Sequence, residues 1–406
     1  MSSARRSRVP AHLRRARLGV SLMFLSNGFV FANLAPRLPM LKADFELSHT
    51  AFGFLMIVAP LGSLLPGSLA ARLIRRFGAL LVNVVGTICI STGLAAIGWS
   101  SNLWLVVAGL AMMGFFDNIT DSGQNVHGLV VEDGYGRSIF NSLHGMWSLG
   151  AASGGLVGAF AAGQHIPLHW HLTGAALATV ALNACAVWLA RMPVSSQSVD
   201  NSSDTADQEL GEALSKIPRW AIWAILPLVG LAMSGVIVED IGERWSALYL
   251  LEQAGLTAGI AGLGYPVLIG LQFVGRFAGD PLVDRLGRVQ VMRVGGLLIL
   301  AGALLLVIFP APVTIFIGLA LCGFGSATTV PGAYAAAGRM PGLPEGTGIA
   351  LASWGLRASF MATSPIVGMI SDLSNMRIAM CLLIVSGIGV TSLANQVRDR
   401  EQPAAR

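Results

Sequence analysis

Twelve apolar runs, each long enough to cross a bilayer, constrain this chain more than any motif in it. They lie at roughly 18–36, 50–71, 79–98, 103–125, 140–163, 171–190, 220–242, 257–277, 291–309, 312–334, 347–370 and 376–395. A helix needs about 20 such residues to span hydrocarbon, where backbone groups find no water to bond. Charged residues make up 12% of the 406, against roughly 25% in a soluble domain. That is too little charge to solvate a globule of this size. The mean hydropathy of +0.68 agrees. The expected fold class is an all-α membrane protein of twelve transmembrane helices.

One long connection breaks the pattern. Residues 192–218 are Ser-rich and carry Asp200, Asp204, Asp207, Glu209 and Glu212. Such a stretch cannot bury a core and reads as a polar linker. The expected organisation is a cytoplasmic tail over 1–17, a six-helix bundle over 18–191, the linker, a second bundle over 219–395 and a tail over 396–406. With the N-terminus inside and sides alternating, 21 of the 26 Lys and Arg fall on the cytoplasmic side. Four fall outside, and Arg357 is left within a span. This bias puts both termini and the linker in the cytoplasm, with the chain in the cell's inner (plasma) membrane. The net charge of +5 then reflects topology and not nucleic-acid binding. Residues 1–19 are Arg-rich and acid-free, so a removed targeting segment is the competing reading.

The halves repeat at an offset of 209. Leu47-Ser48 and Gly53 match Leu256-Thr257 and Gly262. Arg76-Phe77-Gly78 matches Arg285-Leu286-Gly287. Gly109-Leu110-Ala111-x-x-Gly114-Phe115 matches Gly318-Leu319-Ala320-x-x-Gly323-Phe324. Three matches at one offset indicate two six-helix bundles related by a parallel pseudo-two-fold, the plan of transporters that rock two bundles around a midplane site.

The segment Gly275-Arg276-Phe277-Ala278-Gly279-Asp280-Pro281-Leu282-Val283-Asp284-Arg285-Leu286-Gly287-Arg288 resembles the signature loop of the major facilitator superfamily. The resemblance implies a tight turn at Gly287 and gating roles for Asp284, Arg285 and Arg288. In the first-half loop Arg75 stands where the signature has Asp, and Ala71-Arg72 implies a shifted turn. The cytoplasmic gate is therefore expected in the second-half loop. A narrower resemblance is to the fucose-permease-like branch, which includes sugar–proton symporters. It rests on Asp121-x-x-x-Asn125, Glu132, His144-Gly145-x-x-Ser148-x-Gly150, and Glu239 ahead of Trp245-Ser246-Ala247-Leu248-Tyr249-Leu250. Span 1 lacks the acid some members use, and Arg244 stands where the branch carries an acid. Span 5 also lacks the Gly-Pro pair typical of drug–proton antiporters.

Ionisable groups in hydrocarbon are costly and therefore functional candidates. Asp117, Asp121 and Asn125 are spaced by four and share one helix face. Two carboxylates that close in low dielectric do not both ionise easily. Asp121 and Asp117 are thus expected to couple protons, with Glu239 as a second acidic site. Alternatively Glu239 and Asp240 form an outer-gate bridge to Arg37 or Arg244. His144 is placed at the gate, as a relay or as a donor to a nearby carbonyl that fixes packing. Arg357 is expected to pair with Asp117 across the bundles, or to meet an anionic solute. Asn27, Asn125, Trp147, Tyr265, Gln272 and Trp354 join Arg357 as candidate substrate-binding residues, combining aromatic faces with amides. Cys89, Cys185, Cys322 and Cys381 lie in apolar runs without metal-ligand spacing. No metal, cofactor or nucleic acid is expected; the partners are a small-molecule solute, protons and the lipid bilayer, and the chain is expected to act as a monomer.

The function that follows is a secondary transporter, proton-coupled, of a small polar solute such as a sugar. Export of amphipathic metabolites or drugs is the second reading, and a non-transporting sensor a remote one. No catalytic motif supports an enzyme. The topology predicts that a single cysteine at Ser198 is not labelled by an impermeant thiol reagent applied to intact cells. Efficient labelling there would overturn both the topology and the parallel repeat.

Overall fold

The computed structural model describes residues 10–66, 68–135, 139–191, 219–340 and 347–398. The expected linker, including Ser198, and the outermost parts of both tails lie outside the described residues. Every regular element among the described residues is helical. The long helices are α1 (Ala11–Ala32), α2 (His49–Leu64), α3 (Ala79–Gly98), α4 (Leu103–Tyr135), α5 (Phe140–Gly163) and α6 (Leu168–Ala190). The second half contributes α7 (Arg219–Arg244), α8 (Gly264–Leu286), α9 (Arg288–Ile308), α10 (Pro312–Ser326), α11 (Thr347–Leu373) and α12 (Cys381–Leu393). Among the described residues nine helical stretches are long and apolar enough to cross a membrane, and α2 with Leu69–Phe77 forms a tenth as a bent pair. The two others, α5 and α11, are 24 and 27 residues long. At 1.5 Å per residue they also exceed the ~30 Å core. Twelve spans are consistent with this arrangement.

The two halves pack alike. In the first, α1 packs on α5 and α6, α3 on α4 and α6, and α2 on α4. The second reproduces each contact six helices later: α7 on α11 and α12, α9 on α10 and α12, and α8 on α10. The bundles meet through α2 against α11 and through α8 against α5, which are equivalent under the same exchange.

The sequence matches at offset 209 occupy equivalent places. Ser48 and Thr257 are both N-caps with extended backbone, at φ −62°, ψ 163° and φ −66°, ψ 155°. A Cβ on Gly114 would fall 1.9 Å from the Ala59 carbonyl oxygen; one on Gly323 would fall 2.1 Å from that of Leu268. Ala59 and Leu268 are themselves 209 apart. Both motifs thus mark where two backbones touch, the role of small residues in a bilayer. Gly78 and Gly287 end the preceding helices with φ of 81° and 80°, a conformation that favours glycine. The first-half turn is therefore not shifted, as the sequence around Ala71 implied. It sits at Gly78 with the geometry of its partner.

Several helices outrun their apolar runs. α1 begins at Ala11, inside the segment expected to be a tail. Its Arg15 and Arg17 lie over the Trp188 and Tyr135 rings at 4.1 and 5.2 Å, an interfacial use of long cationic side chains. α4 continues ten residues past the expected end at 125, to Tyr135. There Glu132 accepts from the backbone N–H groups of Ile139 (2.6 Å) and Phe140 (2.9 Å) and so satisfies the start of α5. α8 continues to Leu286 through the signature segment. Polar residues end the hydropathy signal in these places but not the helical hydrogen bonding.

Gly114→Ala and Gly323→Ala should each destabilise the protein by about 1–3 kcal/mol through backbone displacement. Gly174→Ala, with no neighbour within 4 Å of its added methyl, should be nearly neutral. Thermal unfolding in detergent checks this; equal melting temperatures for all three would refute the packing role of the repeat glycines.

Candidate functional site

The bundles enclose a cavity of about 460 Å³ walled by α1, α2, α4 and α5 on one side and by α7, α8 and α11 on the other. It is shut at the face opposite the arginine-rich loops. There Gly53 and Gly368 bring α2 and α11 into backbone contact: a methyl added at either would meet the Ser364 or His49 carbonyl oxygen, at 2.4 and 2.3 Å respectively. His49 also reaches Asp372 and Glu252 at 3.0 Å each. Toward the arginine-rich face, Asp121 and His144 line the cavity and are exposed. The conformation is closed at one end and open at the other.

The helical period brings the expected acids together. Asp117 and Asp121, one turn apart on α4, both face the cavity. Amides hold them, not cations. Asn27 of α1 donates to Asp117 (3.0 Å) and accepts from the Trp147 indole of α5 (2.8 Å). Gln124 and Asn125 donate to Asp121 at 2.8 and 3.0 Å. An amide offers a carboxylate one directed bond without neutralising its charge. These two carboxylates can therefore still accept a proton or a solute's donor. His144 stands beside them with Nδ1 3.2 Å from the Phe140 carbonyl oxygen, packed on Phe24 and Phe140.

The second-half wall carries the opposite sign as well. Glu239 and Glu243, one turn apart on α7, face the cavity. Glu239 accepts from Gln272 (2.5 Å) and pairs with Arg276 (3.2 Å). Arg276 also donates to Ser148 of α5 (2.7 Å), joining the two bundles. Asp240 points away from the cavity and is fully buried. It pairs with Arg244 and accepts from Ser364 of α11 (2.6 Å). The alternative outer-gate bridge is thus half formed. Arg244 meets Asp240, but Arg37 donates to the Ile166 carbonyl (2.6 Å) and Glu239 turns to Arg276.

Arg357 lines the cavity, with its guanidinium 5.9 Å from the Trp354 ring. The expected ion pair with Asp117 is not formed in this conformation: Asp117 accepts from Asn27, and Arg357 lies toward the Trp354 ring. Tyr265 and Trp147 line the cavity as expected. Asn125 and Gln272 do not. They stand behind the wall and hold Asp121 and Glu239. Trp354 is 55% exposed and outside the cavity lining. Asp284 and Arg285 are exposed at the end of α8, away from the cavity, and Arg288 begins α9.

Sequence reasoning misses Arg276, Glu243 and the His49 cluster. Arg276 lies one residue before the end of the apolar run at 277 and is counted with the cytoplasmic basic residues. The signal that could have found it is its spacing: Tyr265, Ile269, Gln272 and Arg276 follow the 4-3-4 rhythm of one helix face. His49, Glu252 and Asp372 are too far apart in the chain for any spacing to join them. Among the described residues no three His, Cys, Asp or Glu side chains form a metal site.

Arg276→Gln should lower solute flux in proteoliposomes by about tenfold or more, because it removes a charge-assisted pair and a bond between bundles. Arg276→Lys should restore little, since one ammonium does not reproduce the two-pronged reach. Full activity in both variants would make Arg276 a bystander.

Three comparisons bear on this geometry. The family model of the Major Facilitator Superfamily matches residues 20–342. An uncharacterized transporter, y4wD of Sinorhizobium fredii, is 28% identical over 373 residues, covering 90% of this chain and 93% of that protein. Among solved structures, a D-xylose-proton symporter is similar at 16% identity with a TM-score of 0.73, covering 96% of this chain and 98% of that one. The transporter FucP, in an outward conformation, is similar at 18% identity with a TM-score of 0.62, covering 96% and 100%. The similarity is therefore to membrane transporters and not to enzymes. With its paired bundles and the cavity between them, the chain belongs to the Major Facilitator Superfamily.

Proposed function

We propose that this protein moves a small polar solute across the inner (plasma) membrane by alternating access, coupled to protons, with both termini in the cytoplasm. The carrying observation is the state of Asp117 and Asp121: two carboxylates in one cavity, held by amides and by no guanidinium. Asp121, at the open end, takes the role of proton carrier. Asp117, one turn deeper on the same helix face, is the second carboxylate of the pair. Glu239 is the second acidic group, already paired with Arg276. Asn27, Trp147 and Tyr265 supply an amide and two aromatic surfaces for the solute. The similar structures include a D-xylose-proton symporter, which supports the sugar-like, proton-coupled reading. In this reading the arginine-rich face is cytoplasmic, the conformation is inward-open, and Asp284, Arg285 and Arg288 close that face when the bundles rock the other way.

One observation favours a second reading of the solute. Among the described residues Arg357 has no carboxylate within salt-bridge distance, and it faces the cavity. A guanidinium within a span needs water or an anion, and Arg357 is exposed where either can reach it. A solute bearing a carboxylate or phosphate would meet that need. The apolar part of the lining, with Phe24, Phe31, Met56, Met113 and Phe360, keeps export of an amphipathic metabolite as the alternative.

Proteoliposomes under an imposed pH gradient test the proposal. Asp121→Asn should abolish gradient-driven accumulation and retain solute exchange. Normal accumulation by this variant would move the coupling site elsewhere, with Glu239 next in line. Selective loss of anionic-solute transport in Arg357→Gln would establish the second reading over the neutral-sugar one.

A further inference from the structure

On the outer face, His49 joins the two bundles in an arrangement the cavity does not explain. It is the first residue of α2. Its Nδ1 lies 3.0 Å from Asp372 Oδ1 of α11, and its Nε2 lies 3.0 and 3.2 Å from the two oxygens of Glu252 in the short helix Ser246–Ala254. Asp372 also accepts the backbone N–H groups of His49 (3.0 Å) and Thr50 (2.7 Å), capping α2 from the opposite bundle. The His49 imidazole lies nearly parallel to the Trp245 indole, 6.4 Å away. The charged groups facing it are Asp372 from α11 and Glu252 from the short helix. Among the described residues no other charged side chain comes within salt-bridge distance, including Asp44 and Glu46 in its own preceding segment.

The chemistry of this cluster fixes its proton count. A neutral imidazole donates from one nitrogen and accepts at the other. Here both nitrogens face carboxylates, which accept only. A neutral ring between two ionised carboxylates would set a lone pair against an anion. Both contacts become attractive when the cluster holds one further proton, on the imidazole or shared with a carboxylate. Side-chain hydrogen bonds between described residues cross the bundles at two places, Arg276 to Ser148 and this cluster. Only the cluster lies at the sealed end.

We propose that His49, Glu252 and Asp372 form a proton-binding latch that holds the outer gate closed only when the cluster has bound a proton from the outside. The latch rests on the alternating-access reading above and adds to it. Its proton is distinct from the one on Asp121 and stays at the outer face. It permits closure and is not carried across. The sign follows from linkage. The closed state binds the extra proton better than the parted state, so falling pH favours closure and rising pH favours opening. With one linked proton, the open-to-closed ratio rises by at most about tenfold per pH unit.

Spin-label distances across the outer gate test the latch without any knowledge of the solute. Ala43→Cys and Leu373→Cys, both exposed and in opposite bundles, are labelled in the full chain with its four native cysteines replaced by alanine. The protein is held in lipid nanodiscs between pH 5 and 8.5. The short-distance population should dominate at pH 5, and a longer one should grow with pH. His49→Ala should show the longer distance at every pH. Glu252→Gln offers the ring one neutral partner, so it should stay closed and lose the pH dependence. This variant keeps the test valid if His49→Ala fails to fold. An unchanged pH profile in either variant, or a longer distance that grows as pH falls, overturns the latch. A second distance that appears but ignores pH sinks the latch and leaves alternating access standing. One fixed distance in all variants at all pH values would sink both.

Discussion

Within hydrocarbon each backbone N–H and C=O must be satisfied by the chain itself, and helices do this segment by segment. Once every segment is a helix, the only freedom left is how helices touch. Burial from water does not drive that contact, since lipid is as apolar as leucine. Close approach does, and it needs residues without side chains. Gly28 against the Trp147 carbonyl, Gly150 against that of Leu25, Gly114 against Ala59 and Gly323 against Leu268 are such points. They fix α1 on α5, α4 on α2 and α10 on α8. The repeat at offset 209 preserves the pair Gly114 on Ala59 and Gly323 on Leu268, because the same contact is made in each bundle. The cavity is what remains between two bundles built this way.

The polar groups in the membrane depend on that frame. Most of the acidic side chains in the cavity region meet a partner suited to their role, while Arg357 has none within salt-bridge distance among the described residues. Asp240, fully buried, is paired with Arg244 and bonded by Ser364, as a structural charge must be. Glu239 shares its guanidinium partner with Ser148 across the bundle interface. Asp117 and Asp121 have amides instead of cations and keep their charge available. Compensation thus grades from complete behind the wall to partial within it, and the partly compensated groups carry the proposed chemistry. The same logic separates Asn125 and Gln272 from the solute. They are polar because a carboxylate needs holding, not because a ligand touches them.

Bundle-crossing polar contacts are few among the described residues, and their positions matter for the proposed rocking of the two halves. Arg276 to Ser148 lies within the cavity wall, and the His49 cluster lies at the sealed face. Backbone-to-backbone contact at Gly53 and Gly368 accompanies the cluster. Opening that face requires the separation of ionic groups together with unpacking of glycine contacts. The closed state is therefore held by two kinds of interaction, of which the proposed latch makes only the His49 cluster responsive to pH.

Much of this molecule is legible in its residues. The resemblance to the signature loop implies the turn at Gly287, and the membrane class, the helical fold and the six-plus-six repeat follow from apolar run length and from matched residues, both local properties of the chain. So does the shared face of Asp117 and Asp121, since helical period alone places residues four apart together. The helix ends of α4 and α8 do not follow. Hydropathy reports the solvent a residue prefers, whereas a helix continues wherever backbone bonding continues. Arg276 is misplaced by sequence reasoning for that reason. Partners are legible only within one helix, as with Arg244 and Asp240. The bonds of Asp117 to Asn27, of Arg276 to Ser148, and of His49 to Glu252 and Asp372 join segments 90 to 323 residues apart. Which of several polar residues at similar depth actually meet depends on helix rotation and on which gate is closed. Those are set by side-chain packing over the whole assembly, and only the tertiary structure decided them.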